Sequence, residues 1–353
     1  MAKILIALES IDLGGMKRAT TVVGNALTLN HDVTYYTFSD VPPFYELHAP
    51  LIVASPSVKL TSDAQPFERY AKEIKNFAKL ARKYDVVILA GGLLSSFAAV
   101  LKPQLSDTKL IGWMHNNITT YAKQYYAQMN EAFVDGLGSL DSIVVLTDFD
   151  LAGFQQYNSH TIKIWNPLTI EPQGYSKLDK HVISFTSRIA IQHKGIDFAV
   201  QLASKLPNDW CLAMAGDGTK EDMEIFQQLI RNTQVEDKII YRGPLKDEEL
   251  RCHYRESSLF LQTSRWEGLP LVLVEAMSFG LPIVAMRQTG SAEVLDKGKY
   301  GILVDNGDVE AAVNEISALI RDPQQRLAWS KKSIQRVHDF QIEPILKQWE
   351  MLF

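Results

Sequence analysis

Residues 265–285 read RWEGLPLVLVEAMSFGLPIVA, and this stretch decides the fold. It holds a loop, a helix and a strand, each with its own punctuation. Pro270 suits the first helical position, where its missing N–H is no loss. Gly280 suits the left-handed residue just past a helix end. Pro282 starts the short apolar run PIVA, as expected for a buried strand. Between those marks the helix is apolar all round, except for Glu275. A helix without a polar face belongs in a core. A carboxylate inside it is costly unless something satisfies it. Glu267 sits eight residues earlier, in the loop that enters the helix. One Glu therefore precedes the helix N-terminus, and the other lies about one turn inside it. The open amides of that N-terminus attract anions. Two carboxylates beside an anion-binding helix end suit a ligand with sugar hydroxyls at both ends and phosphate in the middle. Isolated buried carboxylates concentrate at such sites.

Upstream of this stretch, strand and helix signals alternate from His181. VISFT (182–186) reads as a strand leading to Ser187 and Arg188, and Lys194-Gly195 opens a helix ending near Leu206. Arg188 falls at a strand's carboxyl end and Lys194 at the next helix's N-terminus. Two cations converging there suggest a diphosphate, with Arg able to use two donors. Another strand ends in Gly216-Asp217-Gly218, a turn that brings backbone close to the crevice. Gly243-Pro244-Leu245 makes a further strand-end loop. Thr289 to Glu293 starts a helix, 301–304 is a short edge strand, and a helical pattern runs from Val309 through Val337, with a break near Pro344.

The N-terminal half has the same grammar. KILIAL (3–8) is a strand apolar enough to be covered on both faces. Gly14-Gly15 follows, then a helix from Met16. Strand, glycine turn and helix open a doubly wound α/β domain, although GxGxxG is absent. Residues 31–38 form a second strand, 39–65 are irregular apart from short strands, 66–83 form a helix and 85–89 a strand. The helix carries Lys72, Lys75, Lys79, Arg82 and Lys83: a solvated face, or a surface for anionic lipid. KLIGWM (109–114) ends in His115-Asn116-Asn117, which puts His115 at a strand's carboxyl end, where ligands bind in open α/β sheets. Tyr121, Tyr125 and Tyr126 follow in a helix, and SIVVL (142–146) is the last clear strand of this half. The strand 162–165, Asn166-Pro167, Pro172 and Gly174 mark a hinge-like connection.

Composition bounds the function. A chain of 353 residues favours two domains. A hydrophobic content of 46%, a charged content of 22% and a net charge of −5 are ordinary for a soluble globular protein and give no hint of nucleic-acid binding. Two cysteines form no disulfide framework and fit a reducing cytosol. The N-terminus reads as a strand and lacks the features of a signal peptide, and no run is long enough for a membrane span. The expected place is cytoplasmic, at most peripheral on the inner face of the cell membrane. No clustered His, Asp and Glu ligand set argues for a metal.

At Arg188, Lys194, Gly216 and the pair Glu267 and Glu275 with seven residues between them, the chain resembles the retaining, two-domain glycosyltransferases of family 4, the glycosyl transferases group 1 of GT-B fold. The Asp217 loop and the glycine of FGLPIVA belong to the same pattern. The resemblance spans nearly the whole chain and is strongest over 182–304. It implies an α/β fold of two doubly wound Rossmann-like domains facing each other across a cleft. Residues 1–168 form the acceptor-side domain, 169–337 bind the nucleotide sugar, and a final helix in 338–353 crosses back to the first domain. It implies that Arg188 and Lys194 hold the diphosphate, Glu275 accepts from ribose hydroxyls and Glu267 meets the transferred sugar. Gly216, Asp217, Leu245 and the amides near Gly268, Leu269 and Leu271 complete the nucleotide-sugar contacts. His115 reaches a sugar hydroxyl and Gly15 lies near the phosphate. The family often has His-Asp where this chain has His115-Asn116, and Pro270 stands where some members have glycine, removing one amide donor.

The reaction expected is transfer of a hexose from a nucleoside diphosphate, foremost a UDP-sugar, to a hydroxyl with the anomeric configuration retained. Glu267, His115, Arg188 and Lys194 are its catalytic candidates, and neither cofactor nor metal is expected. UDP-glucose, UDP-galactose and UDP-N-acetylhexosamines lead, with GDP-mannose behind. The acceptor expected is a glycan, a lipid-linked glycan or a polyol, in polysaccharide or glycolipid synthesis, with peripheral contact to anionic membrane. The rivals are a nucleotide-sugar epimerase of the same architecture, which would turn over donor alone, and a catalytically silent partner of another transferase. The four charged residues argue against the silent copy.

Overall fold

Thirteen short strands form two separate, wholly parallel sheets in the computed structural model, which describes residues 1–62 and 65–353. The first sheet comprises β1 (Lys3–Leu8), β2 (Asp32–Thr37), β3 (Leu51–Val53), β4 (Val86–Ala90), β5 (Lys109–Trp113), β6 (Ser142–Val145) and β7 (Thr161–Lys163), in the order β3-β2-β1-β4-β5-β6-β7. The second comprises β8 (Val182–Thr186), β9 (Cys211–Ala215), β10 (Ile239–Tyr241), β11 (Leu259–Gln262), β12 (Ile283–Met286) and β13 (Ile302–Val304), in the order β10-β9-β8-β11-β12-β13. Parallel strands need crossovers, and helices on both faces cover them. The inner strands are accordingly apolar without alternation, and every residue of β4, β6, β11 and β12 is buried.

The chain divides into two units. Unit 1 is Met1–Thr169 with Gln341–Phe353, and unit 2 is Ile170–Phe340. The final helix, Ile342–Glu350, joins unit 1 by burying Trp349, whose ring meets Trp113 at 4.5 Å. Each unit has its own core: Phe38, Phe77, Phe97 and Phe133 anchor the first, and Trp210, Phe226, Leu261 and Leu319 the second. In each sheet the strand order reverses once, between β1 and β4 and between β8 and β11. Open α/β sheets bind ligands at that switch point, outside the carboxyl ends of the strands.

Several boundaries differ from those expected. The helix of 66–83 is two, Pro66–Arg69 and Ala71–Ala81, because Tyr70 leaves helical geometry and buries its ring. After the helical turn Ile118–Thr120, Tyr121–Tyr125 forms a wide π turn and Ala127–Met129 a 3-10 turn, while Tyr121 and Tyr126 turn into the core. The irregular stretch 39–65 contains β3, and two of its positions, 63 and 64, lie outside the described residues. Among the described residues, no helix is long and apolar enough to cross a membrane.

Candidate active site

The switch point of unit 2 gathers most of the residues singled out by the sequence. Arg188 leaves the end of β8. The loop then makes a one-turn helix, Ile191–Lys194, and Gly195 at φ 61° turns the chain into the helix Ile196–Ala203. Lys194 therefore ends a short helix, and the helix expected to open at Lys194-Gly195 starts at Ile196. Only glycine suits position 195: a Cβ there would stand 2.1 Å from the Thr263 carbonyl oxygen. The Thr263 hydroxyl donates to the carbonyls of Lys194 and Gly195 at 2.9 and 2.8 Å. The guanidinium of Arg265 caps the Ile191 and Gln192 carbonyls and makes a two-pronged pair with Asp197 at 2.9 and 2.6 Å. The loops after β8 and β11 are thus one laced structure.

Glu267 sits inside that lacing. Its Oε1 receives Lys194 Nζ at 2.6 Å and Ser264 Oγ at 2.7 Å. Burial alone would push the Glu267 carboxyl up. The charge of Lys194, the neighbouring His193 and these two hydrogen bonds outweigh it and hold the carboxyl below its usual range. His193 lies flat on Trp266, with ring centroids 4.7 Å apart and planes 6° apart. Its Nε2 faces the Trp266 carbonyl oxygen at 3.0 Å. A carbonyl only accepts, so Nε2 carries the proton and Nδ1 is left to accept from Arg188 Nη2 at 3.5 Å. Burial, then the Lys194 charge, lowers His193 to about 4, which keeps it neutral.

Beyond Glu267 the chain enters the buried helix Leu271–Ser278. Pro270 is the residue before the first helical position, not the first one. Its φ of −73° fits either place, but its ψ of 101° is extended. Gly280 has φ 74° just past the helix end, in the left-handed geometry expected of it. Gly268, Leu269 and Leu271 are buried, and Glu275 is 2% exposed, with Oε2 accepting from the Tyr254 hydroxyl at 3.0 Å. The first amides of this helix have no partner within it. On the other side of β8, Gly216 packs so tightly that a Cβ would lie 1.7 Å from the Ser187 carbonyl oxygen. Asp217 is exposed and holds Ile189 N–H with its backbone oxygen at 2.8 Å; Leu245 is half-buried.

Unit 1 holds the other two candidates. Gly15 is the exposed first residue of the helix Gly15–Leu27. His115 follows β5 with its ring 4.6 Å from Trp113, and both ring nitrogens are buried without a hydrogen-bond partner. Burial lowers it to about 3. No group of His, Cys, Asp and Glu among the described residues could hold a metal ion.

Sequence reasoning passed over His193, Ser264 and Tyr254. Ser264 and Tyr254 have no signal of their own in the chain. His193 had one: it precedes Lys194 in a loop already suspected.

Residues 169–336 match the sequence model for glycosyl transferases group 1. Among similar proteins, an uncharacterized glycosyltransferase of Haemophilus influenzae is 27% identical over 96% of this chain and 95% of its own length. The amylovoran biosynthesis glycosyltransferase AmsD of Erwinia amylovora is 27% identical over 99% of both chains. Among solved structures, Anabaena Alr3699/HepE in complex with UDP-glucose aligns with a TM-score of 0.83 at 19% identity, over 100% of this chain and 99% of that one. Sucrose-phosphate synthase from Thermosynechococcus elongatus aligns with a TM-score of 0.84 at 20% identity, over 100% of this chain and 98% of its own. The fold is theirs: two parallel α/β sheets of the GT-B kind.

Proposed function

We propose, for a chain that belongs to the group 1 glycosyltransferases of GT-B fold, that it transfers a hexose from a UDP-sugar to a hydroxyl with retention of anomeric configuration. The observation that carries this reading is the Lys194–Glu267–Ser264 cluster at the switch point of unit 2, just ahead of the helix Leu271–Ser278. A diphosphate arriving there replaces Glu267 as the partner of Lys194, with Arg188 and the helix amides beside it. Charge that builds on the leaving diphosphate is met by groups already oriented. Released from Lys194, Glu267 accepts hydroxyls of the transferred sugar, and Glu275 accepts from the ribose. The leaving phosphate helps to deprotonate the incoming hydroxyl, a route that needs no protein nucleophile and no metal.

Several relatives support the physiological setting. One is named for amylovoran biosynthesis, and another, of Campylobacter jejuni, for adding N-acetylgalactosamine to an undecaprenol-linked glycan. The Anabaena neighbour was solved with UDP and UDP-glucose. We therefore place the reaction in the synthesis of a cell-surface polysaccharide or glycolipid, with unit 1 taking a glycan, lipid-linked or polyol acceptor at the cytoplasmic face of a membrane. A panel of UDP- and GDP-sugars, scored by calorimetry and by hydrolysis, tests the reading. At least one UDP-sugar should bind and be turned over with its α-anomer retained in the product. Absence of binding for the whole panel would overturn it.

A further inference from the structure

Lys194 stands on a bend. Gly195, at φ 61°, joins the one-turn helix Ile191–Lys194 to the helix Ile196–Ala203. A glycine resists bending little, so the angle between the two helices is set from outside. That angle decides where the Lys194 ammonium lies. One side chain grips both arms. Arg265 Nη1 donates to the carbonyls of Ile191 and Gln192, before the bend, at 3.3 and 3.0 Å. Nη1 and Nη2 hold the two oxygens of Asp197, in the first turn after the bend, at 2.9 and 2.6 Å. The guanidinium carbon also lies 3.9 Å from the centroid of the Phe198 ring, which keeps the fork flat against the second helix.

The backbone of the same residue is fixed on the carboxylate side. The Arg265 N–H donates to the His193 carbonyl at 2.9 Å, and the Arg265 carbonyl accepts from Asn306 Nδ2 at 2.8 Å. Glu267 follows two residues later. Arg265 therefore joins the backbone that aims Lys194 to the backbone that aims Glu267. Asp197 neutralises its charge, and both of its terminal nitrogens are committed to protein acceptors. It is placed to hold the loop that carries the cation, not to bind phosphate itself.

Resting on the transferase reading, we propose that Arg265 is a positioning residue of the reaction: it sets the Gly195 bend and so keeps Lys194 and Glu267 in register for diphosphate and sugar. A planar fork reaches carbonyls on one arm and both carboxylate oxygens on the other. A lysine keeps the charge as a single point and cannot hold both arms at once.

Arg265→Lys in the full chain tests this, with Asp197→Asn as a second variant that leaves Arg265 in place. If Arg265→Lys does not fold, Asp197→Asn decides. Amide exchange followed by mass spectrometry should quicken about tenfold or more over 191–197, and stay at the wild-type rate in β9 and β12. For a UDP-sugar that the wild type turns over, kcat should fall about tenfold or more, since small misplacements of reacting groups are costly. A residue that only supports the fold would lower the melting temperature and leave kcat at the wild-type value. That result, or unchanged exchange over 191–197, would overturn the proposal. Failure of the transferase reading looks different: the wild type itself then turns over no nucleotide sugar, while quickened exchange still identifies Arg265 as the clamp on the bend.

Discussion

Lys194 Nζ and Glu267 Oε1 lie 2.6 Å apart, and the two side chains are only 15% and 12% exposed. The cation proposed to meet phosphate and the carboxylate proposed to meet the sugar neutralise each other, so neither is buried unpaired.

Breaking that pair should therefore cost stability as well as binding. Removing one partner of a buried pair costs about 3–5 kcal/mol, because the other charge stays behind. Lys194→Ala should fall in that range by urea unfolding and also weaken UDP by about 1.5–3 kcal/mol. The double variant Lys194→Met/Glu267→Gln should be more stable than the sum of its single changes. Strict additivity would show that the two residues are not coupled.

Glu267→Gln keeps the size and removes the charge. UDP affinity should survive, while transfer falls sharply, the pattern of a contact made with the reacting sugar. The folded carboxyl lies below its usual value, so its stabilising contribution is present above about pH 4.5 and is lost as pH falls through the folded pKa. The variant should lose that acid-side decline. A wild-type transfer rate would remove Glu267 from the chemistry.

Glu275 answers to a different readout. Tyr254→Phe removes a buried donor to Glu275 and should lower stability by about 1–3 kcal/mol without changing the transfer chemistry. Glu275→Gln should weaken the bare nucleotide, since ribose is present with or without sugar. Calorimetry with UDP decides it: equal affinity in the variant would free Glu275 from the ribose.

Buried histidines should govern the first loss of stability on acidification. His115 and His253 are lowered to about 3 and His193 to about 4, in each case first by burial. In the unfolded chain they take up protons below about pH 6.5, and in the folded chain they do not. Stability should therefore fall as pH drops from 6.5 towards 5, by about 1.4 kcal/mol per pH unit for each fully neutral histidine, before the carboxylates titrate. His115→Gln should remove one proton's share of that slope in urea midpoints. An unchanged slope would mean that His115 is protonated in the folded state.

Lys72, Lys75 and Lys79 share the exposed face of the helix Ala71–Ala81, opposite the buried Ile74, Phe77 and Ala78. Wild type should sediment with anionic vesicles at low salt and release as salt rises. The triple change to Glu should abolish sedimentation. If wild type ignores the vesicles, the face is only solvated.

Much of this architecture could be read from the chain because apolar runs such as KILIAL, DVVIL and VISFT are buried on both faces, and burial leaves its mark in composition. Gly280 was legible for a similar reason: its left-handed turn admits few other residues. Tyr70 was not, because a helix break made by a buried tyrosine looks like helix continuation in a periodic pattern. The charges at the switch point were legible as residues but not as partners. Lys194 and Glu267 are 73 positions apart, and only the folded loops after β8 and β11 bring them together.

Unit 1 is built from the first 169 residues and the last 13, with Trp349 closing on Trp113. Its core therefore stays open on the growing chain until all of unit 2 has left the ribosome. Unit 2, continuous in sequence, is free to finish first. The order of completion is the reverse of the order of synthesis. A chain cut short after unit 2 would present a bare aromatic cleft beside Trp113, a ready target for chaperones and proteases.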